Sequence, residues 1–443
     1  MPTSCPLNIT IIGAGISGLA AATFLSQSGH KVTVLEANPS LSEIGAGIQV
    51  TPNALRIFDR HGLKDVFYKE GTKNEGAVLK RWDNGKVLGK QGGMPMALYG
   101  YFNLTLHRAD YQRILYDAAI QAGATVGFCK KFTDIEFDTP SVTLESGLKV
   151  PSDLIIAADG IGSRARLAIF PHTHAIPTPD SAHRIILPSS ILFTSPLLSP
   201  LVTKPSATVW FGPQHHIVAY TIRGTSLYNL VFLGPDPSNS SKVGAWNGPA
   251  SLVELKREYE GWEDSVKEIL NKANTVHKWR IGEVEDLESW RSEGGKVVLL
   301  GDAAHAMMPY TAQGATSSIE DAAVLAGCLE RMERKEDVGR LMKAYEDMRK
   351  PRAEKLKSTS KGNMRQHGLD DGPEQVERDR MYAETLKKQT GGEKMVERPE
   401  KDMNAQYESA EFSMWIYGYD VEEELEKYFG NGGLNGRQCE LGL

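Results

Sequence analysis

Three glycines near the N-terminus stand at a spacing suited to holding a phosphate chain. Gly13, Gly15 and Gly18 form a G-x-G-x-x-G pattern between the β-branched run 9–12 and a helix-forming segment. Gly13 would permit a tight turn, Gly15 would let a pyrophosphate approach the backbone, and Gly18 would let helix and strand pack closely. The helix N-terminus would then offer free N–H groups and a positive dipole end to an anion. The pattern predicts a dinucleotide site.

A carboxylate follows at the end of the next apolar run. Glu36 comes directly after residues 31–35. It could accept hydrogen bonds from ribose hydroxyls, and it would repel a 2′-phosphate. This site therefore favours FAD or NAD over NADP. The strand–helix–strand unit also predicts the start of a doubly wound sheet.

An aspartate and a helix start follow another apolar strand further along the chain. Asp302 stands at the carboxyl end of the run 297–300, where it could bind a ribityl hydroxyl of FAD. Gly314 and Ala315 open a long helix. Its N–H groups and positive dipole end suit the N1/O2 edge of a flavin, which is negative when reduced. These residues favour FAD over NAD.

Three more residues are candidates for contact with the cofactor. Asp159 follows the apolar run 154–157, Arg108 opens a helix, and Gly47 lies in a glycine-rich segment. Taken singly, each is equally typical of a turn or a surface ion pair. Their order along the chain is what favours a common site.

Composition restricts the class of protein. The chain has 443 residues, 41% of them hydrophobic, and a formal net charge of −6. A mildly acidic protein has no electrostatic reason to bind nucleic acid. The four cysteines are scattered without metal-ligand or disulfide spacing, so we expect no metal and a cytoplasmic location. No apolar stretch approaches the roughly 18–20 residues that a transmembrane helix needs, so we expect no membrane span.

The predicted fold class is α/β: a Rossmann-like, FAD-binding doubly wound sheet with an inserted antiparallel β-sheet substrate domain and a helical C-terminal region. The charged run 349–352 is typical of a solvated helix face, and the aromatic segment 412–419 is expected to dock on the body. The expected parts are the first part of the FAD-binding domain (1–177), the β-sheet substrate domain (178–285), the second part of the FAD-binding domain with its long helix (286–365) and a C-terminal helical, polar extension (366–443).

Taken together, these motifs resemble the class A flavin monooxygenases of the salicylate and para-hydroxybenzoate hydroxylase type. The resemblance rests on GAGISG at 13–18, H-R-A-D at 107–110, A-D-G at 158–160 and GDAAHAMMPYTAQGA at 301–315, and it covers roughly residues 8–365. In that family the A-D-G segment contacts both FAD and NAD(P)H. Members are often homodimers.

The resemblance implies a specific chemistry. NAD(P)H would reduce FAD, O2 would add to form a flavin C4a-hydroperoxide, and an electron-rich phenolate would take one oxygen atom from it. The aromatic substrate and O2 are then the small-molecule partners. Features of the fungal phenol-hydroxylating and dearomatising members suggest secondary metabolism.

A ring carbon of a phenolate attacks faster than a ring carbon of a phenol, so the substrate site needs a cation or a base near the substrate oxygen. Arg184 resembles the substrate-domain arginine of the fungal dearomatising hydroxylases, and His216 matches the position of a catalytic base in 3-hydroxybenzoate 6-hydroxylases. Tyr220 lies four residues after His216, on the same face of a strand. A structural ion pair or polar pair is the competing interpretation. Three apolar residues are further candidates for the pocket lining: Trp210, Phe211 and Met308.

Other functions remain open at this point. An FAD-dependent epoxidase or hydroxylase of an indole or alkene would need no ionisable oxygen on its substrate. A flavin-bearing binding module would bind FAD without turnover. A halogenase is disfavoured, because its W-x-W-x-I-P signature is absent. The choice between NADH and NADPH stays undecided.

Overall fold

The computed structural model describes residues 3–41, 46–91, 95–236, 246–391 and 410–430. Parts of the expected C-terminal extension, 392–409 and 431–443, therefore lie outside the described residues. The strands, in chain order, are β1 (Asn8–Ile12), β2 (Lys31–Leu35), β3 (Gly47–Val50), β4 (Thr72–Asn74), β5 (Ala77–Arg81), β6 (Val87–Gln91), β7 (Asn103–His107), β8 (Thr125–Gly127), β9 (Phe132–Glu136), β10 (Ser141–Leu144), β11 (Lys149–Pro151), β12 (Leu154–Ala157), β13 (Ile176–Pro188), β14 (Ala207–Phe211), β15 (His216–Ile222), β16 (Leu227–Pro235), β17 (Asn247–Pro249), β18 (His277–Glu283) and β19 (Val297–Leu299).

The helices surround these strands, and two short 3-10 turns, Pro309–Thr311 and Lys335–Asp337, join some of them. The helices are α1 (Ile16–Gln27), α2 (Pro52–Arg60), α3 (Lys64–Glu70), α4 (Pro95–Tyr99), α5 (Arg108–Gln121), α6 (Arg164–Ile169), α7 (Ser189–Phe193), α8 (Ser199–Thr203), α9 (Leu252–Glu258), α10 (Asp264–Lys272), α11 (Asp302–His305), α12 (Gly314–Glu330), α13 (Val338–His367), α14 (Pro373–Gly391), α15 (Ala410–Tyr417) and α16 (Val421–Gly430).

Five parallel strands form the first sheet, in the order β19-β12-β1-β2-β8. Helices cover both faces of such a sheet, so its strands read as continuous apolar runs. In β12 every residue from Leu154 to Ala157 is fully buried. All carboxyl ends of these strands meet at one edge, and they bring Gly13, Glu36, Asp159 and Asp302 to that edge. The predicted doubly wound fold is confirmed.

The second large sheet has eight strands, in the order β17-β18-β13-β16-β15-β14-β5-β6. Its centre is antiparallel, as expected, but β14 pairs with β5 in parallel. Two strands from the N-terminal third of the chain therefore complete the sheet that the segment after residue 178 begins. One face packs on an apolar cluster around Trp210, Tyr228 and Phe232. The opposite face looks into a cavity.

Two smaller three-stranded sheets, β11-β10-β9 and β3-β7-β4, complete the β-structure of the described residues. The second of these sheets contacts the eight-stranded sheet, because β7, which pairs with β3, packs against β15. Within the described part of the chain, no helix is long and apolar enough to cross a membrane. The same residues contain no cluster of three metal-ligating side chains.

Candidate active site

One cavity of about 1580 Å³ lies between the carboxyl edge of the parallel sheet and the free face of the eight-stranded sheet. It collects residues from distant parts of the chain. Nine of the predicted site residues line it: Gly15, Gly47, Arg108, Arg184, His216, Tyr220, Asp302, Gly314 and Ala315. Gly13, Gly18, Glu36 and Asp159 lie outside its lining.

The three glycines of the first motif meet different constraints. Gly13 has a φ of +102°, and a Cβ there would lie 2.5 Å from the carbonyl oxygen of Ala158. A Cβ on Gly18 would lie 2.0 Å from the carbonyl oxygen of Gly13. The protein itself therefore requires both glycines. At Gly15, apart from its chain neighbours and its own helix backbone, no atom of the described residues lies within 4 Å of the Cβ position. Because Gly15 also lines the cavity, this space is open to a ligand.

The surroundings of Gly15 suit a pyrophosphate. Gly15 is the N-cap of α1, no side chain caps this helix end, and its first turn holds no acidic residue. The first N–H groups of a helix have no partner within the helix, so they remain available to an anion. The cradle therefore fits the phosphate chain of FAD.

Glu36 lies beside this cradle. Its Oε2 accepts a hydrogen bond from the Ala14 N–H at 2.8 Å, and its Oε1 accepts one from the Asn38 N–H at 2.8 Å. These bonds hold the carboxylate at the end of β2. The side-chain amide of Asn38 also donates to Oε1 at 2.8 Å, so of the roughly four acceptor positions of the carboxylate about one remains for a ribose hydroxyl.

The second half of the cofactor site lies where α12 begins. Gly314 and Ala315 line the cavity, and no side chain caps the helix at Gln313. Just before it, Ala312 has a φ of +54°, a left-handed conformation that is rare outside glycine. This turn directs the start of α12 at the cavity. Asp302 is exposed there, at the first position of α11.

The remaining cofactor candidates differ in how directly they face the cavity. Arg108 is exposed and lines it. Asp159 is turned towards the start of α6, the helix that follows it. There its carboxylate accepts hydrogen bonds from the Ser163 hydroxyl and from the N–H groups of Arg164 and Ala165. Gly47 lines the cavity, but its N–H donates to Oδ1 of Asn229 at 2.7 Å. Gly47 thus also joins β3 to the eight-stranded sheet.

Behind α12 lies a buried ionic cluster that corrects one expectation. The run 349–352 was expected on a solvated helix face, yet Arg349 is 0% and Arg352 is 6% exposed. Arg349 pairs with Asp321 at 2.8 Å, and Arg352 pairs with Glu320 at 2.8 Å. The solvated reading was wrong for both arginines because their acidic partners lie on another helix. No pattern within the run could show them.

The arginines and His305 of this cluster favour the ionised form of its two acids. Burial alone would raise the pKa of Glu320, but Arg352 and Arg349 hold it below its usual range. Burial would likewise raise the pKa of Asp321, while His305 and Arg349 lower it. The Oδ2 of Asp321 accepts a hydrogen bond from Nε2 of His305 at 2.6 Å. Because the acids sit on α12, the cluster holds the helix whose start faces the cavity.

The C-terminal aromatic segment docks on the body, as expected. The Arg352 guanidinium donates to the carbonyl oxygens of Trp415 and Ile416 at 2.8 and 3.0 Å. Arg56 donates to the carbonyl oxygen of Tyr419 at 2.7 Å. Helix α15 thereby reaches the cavity, where Tyr417 is part of its wall.

Alternation along the strands decides which aromatic residues reach the cavity. Phe211 and Met308 line it, as expected. Trp210 was also a candidate, but it is fully buried on the opposite face of the sheet, with its indole N–H bonded to Glu263. Neighbours on a strand point to opposite faces, so Trp210 and Phe211 could not share one pocket.

Arg184 faces the cavity from β13 and has no anionic partner there. Its Nε is buried and makes no hydrogen bond within the described structure, and its guanidinium carbon lies 4.8 Å from the centroid of Trp279. Burial lowers the pKa of Arg184 to about 10, with a smaller contribution from Arg108. Tyr220 is near enough for its charge to affect Arg184. Burial raises the pKa of Tyr220, so its hydroxyl stays protonated at neutral pH.

His216 occupies a separate part of the same face. Four residues along a strand place it about 13 Å from Tyr220. Its ring centroid lies 5.2 Å from that of Tyr310 and 5.1 Å from that of His367. Burial, together with His367, holds the pKa of His216 well below its ordinary value. His367 ends α13, and no sequence pattern linked it to His216.

Comparisons with known proteins identify the family of this chain. A family model described as an FAD binding domain matches residues 7–360. The FAD-dependent monooxygenase OpS4 of Beauveria bassiana (strain ARSEF 2860) is 33% identical over 422 residues, which cover 94% of this chain and 96% of that protein. The 6-hydroxynicotinate 3-monooxygenase of Bordetella bronchiseptica (strain ATCC BAA-588 / NCTC 13252 / RB50) is 30% identical over 359 residues, 80% of this chain and 91% of that protein.

Solved structures share the fold. A salicylate hydroxylase in its substrate complex superposes with a TM-score of 0.76 at 22% identity, over 99% of this chain and 100% of that one. CtdE in complex with FAD and a substrate superposes with a TM-score of 0.79 at 22% identity, over 96% and 98%. The family match and the relatives confirm the function class expected from the motifs. The chain belongs to the FAD-binding-domain family and is an FAD-dependent monooxygenase with the salicylate hydroxylase fold.

Proposed function

We propose that this monooxygenase uses NAD(P)H and O2 to hydroxylate a phenolic ring whose oxygen is held by Arg184 and Tyr220. The observation that carries the proposal is Arg184, a partly buried residue whose buried Nε has no hydrogen-bond partner among the described residues and which lines the cavity. A buried cation without a counter-charge is costly, and an anionic ligand removes that cost. A phenolate supplies the missing charge.

Bound FAD would supply the oxygen activation, with electrons from NAD(P)H. For that group we propose the uncapped start of α1 at Gly15, the carboxylates of Glu36 and Asp302, and the start of α12 at Gly314 and Ala315. We also propose Arg108 and Gly47, which line the same cavity, and Asp159, which follows β12 at the same edge of the sheet, as contacts of FAD.

The chain's own residues then control the substrate oxygen. Arg184 lowers the pKa of a bound phenol, and the resulting phenolate pushes electron density into the ring carbon that reacts. Tyr220, kept protonated by burial, donates a second hydrogen bond to the same oxygen. His216 stays unprotonated, and we propose that its ring accepts a hydrogen bond from a substrate hydroxyl that reaches it, while burial keeps it from taking up the proton.

Oxidation of an indole or alkene is the alternative. No observation favours it, since a neutral hydrocarbon would leave Arg184 buried and unpaired. A cytoplasmic location, a homodimer and the domain boundaries at 177, 285 and 365 also stand as proposals. The scattered cysteines support the location, the family resemblance supports the homodimer, and the change in sequence pattern near residue 178 supports the domain boundaries. Light scattering tests the homodimer, and limited proteolysis tests the boundaries.

The test of the proposed function is oxidation of NADH and NADPH by the yellow holoprotein in air. Phenols, hydroxybenzoates, resorcinols and indoles are added in turn, under 18O2, and products are read by mass. We expect a phenol to accelerate oxidation and gain one labelled atom. Acceleration only by indoles or alkenes, or no labelled product from any phenol, would overturn the proposal.

A further inference from the structure

The sheet face that carries Arg184 continues as a row of apolar side chains. These residues lie in register on six neighbouring strands, and each one lines the cavity. In order across the sheet, the row consists of Arg184, Val231, Val218, Val209, Leu79 and Gly89. Strands in a sheet are about 4.8 Å apart, so Val209 stands roughly 14 Å from the backbone of Arg184.

The three valines at the middle of this row are only partly buried. They lie on the central strands β16, β15 and β14, where residues of the opposite face, such as Phe232 and Trp210, are fully buried. The valines thus leave apolar surface open to the cavity. Such surface in a concave site is typical of contact with an apolar ligand.

The apolar row from Val231 to Gly89 forms a trough. The guanidinium of Arg378 lies 5.0 Å from the Phe211 ring centroid at the wall of this trough, but it is paired with Asp379, so its charge is balanced. The trough therefore suits an uncharged occupant. His216 and His367 flank it, and burial keeps both rings neutral, lowering the pKa of His367 to about 3. Phe211 stacks on Tyr382 with centroids 5.9 Å apart. Tyr382 also covers Gly89, where a Cβ would lie 3.2 Å from that of the tyrosine. Tyr382 and Gly89 therefore form the far end of the trough.

Most of the cofactor candidates lie on the other side of the cavity. They belong to the carboxyl edge of the parallel sheet and to the start of α12, whereas the trough belongs to the eight-stranded sheet. The exceptions are Arg108 on α5 and Gly47 on β3, which contacts Tyr220. The one charged side chain within the row is Arg184, at its head. A substrate with an ionised oxygen at one end and an apolar extension at the other matches this order.

We propose that the substrate is a phenol with an extended, uncharged apolar substituent, whose ring oxygen lies at Arg184 and whose substituent lies along Val231, Val218 and Val209. This inference rests on the proposed function, because it takes Arg184 as the site of the ring oxygen. It adds the shape and polarity of the rest of the substrate.

The experiment compares resorcinols with methyl, pentyl or nonyl substituents on the FAD-loaded protein. Binding is measured without turnover, by quenching of tryptophan fluorescence, to which Trp279 in the cavity contributes. Each methylene that enters the trough should tighten binding up to about fourfold. We expect affinity and kcat/KM to rise from methyl to pentyl to nonyl.

Two substitutions measure how far along the trough each substituent extends. Val209→Phe fills the distal part of the trough and should lower nonyl binding at least tenfold while leaving methyl and pentyl within twofold. Val218→Phe blocks nearer to Arg184 and should also lower pentyl binding. Val78→Phe is the matched control, since Val78 lies next to Leu79 and points to the opposite face. It should change none of the three.

The outcomes separate the two proposals. Equal affinity for all three resorcinols, or equal effects of Val209→Phe on all three, would overturn the trough. Length-dependent binding without oxygen transfer to any phenol would instead overturn the proposed function. If either phenylalanine variant loses FAD, Val209→Ala takes its place. It should weaken nonyl binding two- to tenfold and spare methyl, and an unchanged nonyl affinity would contradict the trough.

Discussion

Gly47 and Tyr220 lie so close together that a methyl group on Gly47 would stand 2.5 Å from Cε2 of the tyrosine ring. The same methyl group would lie 2.7 Å from Cγ of Asn229, which accepts the Gly47 N–H. The strand beside the cofactor candidates is thus in direct contact with a residue proposed to hold the substrate. This contact couples the two halves of the cavity.

The first prediction follows from that contact. Gly47→Ala should displace Tyr220 and lower kcat/KM for the phenolic substrate at least tenfold, with a smaller loss of bound FAD. Steady-state kinetics and the flavin absorbance per protein check it. Gly248→Ala is the control, because nothing lies within 4 Å of its Cβ position. Equal kinetics of Gly47→Ala and the parent protein would show that Tyr220 moves aside at no cost.

The glycine cradle allows a second prediction. Gly15→Ala should abolish FAD retention and leave the melting temperature of the apoprotein nearly unchanged, since no protein atom meets the new methyl group. Gly18→Ala should lower the stability of the apoprotein as well, because its methyl group would clash with the carbonyl oxygen of Gly13. Thermal unfolding of apoprotein and FAD content distinguish the two. A yellow, stoichiometric Gly15→Ala holoprotein would contradict the cradle.

The third prediction concerns the charge of Arg184. Arg184→Gln should lower kcat/KM for the phenol by roughly 100-fold, the loss of one charge-assisted bond at a buried anion. FAD should stay bound. Arg184→Lys retains the charge but not the planar fork, so it should recover only part of the activity. If the glutamine variant turns over the substrate at the parent rate, Arg184 plays no part in the reaction.

The buried ionic cluster gives a fourth prediction. Arg352→Met should lower the free energy of unfolding by roughly 3 kcal/mol, because it removes a partner of the buried Glu320 and two contacts to α15. Lys350→Met on the same helix is the control. Its partner Glu354 is at the surface, so the change should stay below about 1 kcal/mol. Urea unfolding of both variants measures the difference. Equal losses in the free energy of unfolding would show that the buried contacts of Arg352 contribute no more than the surface pair of Lys350.

A buried histidine gives the fifth prediction, on pH. His30 is 5% exposed and accepts the N–H of Leu7, and burial lowers its pKa to about 4. The unfolded chain binds a proton near pH 6.5, whereas the folded chain does not bind it until about pH 4. Stability should therefore fall as the pH falls through this window, by at most about 1.4 kcal/mol per pH unit from this residue.

The variant His30→Gln isolates this contribution. Its free energy of unfolding, measured in urea at pH 7 and pH 5, should decline less over that interval than the free energy of the parent protein. The other buried groups titrate identically in both proteins, so the difference reports His30 alone. An identical decline would show that His30 is protonated at the same pH in both states.

Local patterns in the sequence determined the cofactor side of this protein. The first parallel strands, the glycine turn and the start of α12 are each encoded within about twenty neighbouring residues. Gly18 is required by a contact within that same turn, and Gly13 by the turn's own positive φ of +102°, although the distant Ala158 also leaves no room for a Cβ there. A strand, a turn and a helix leave a periodic signature in the chain, because backbone conformation depends on near neighbours.

The tertiary structure alone decided the substrate side. Strand β5, with β6 beside it, pairs with β14 although about 130 residues separate β5 from β14. No periodic pattern in the sequence predicts that pairing. His367 meets His216, and Arg349 and Arg352 meet their acids, in the same way. Such contacts depend on how distant elements pack, and only packing determines which charges are buried and which valines face a cavity.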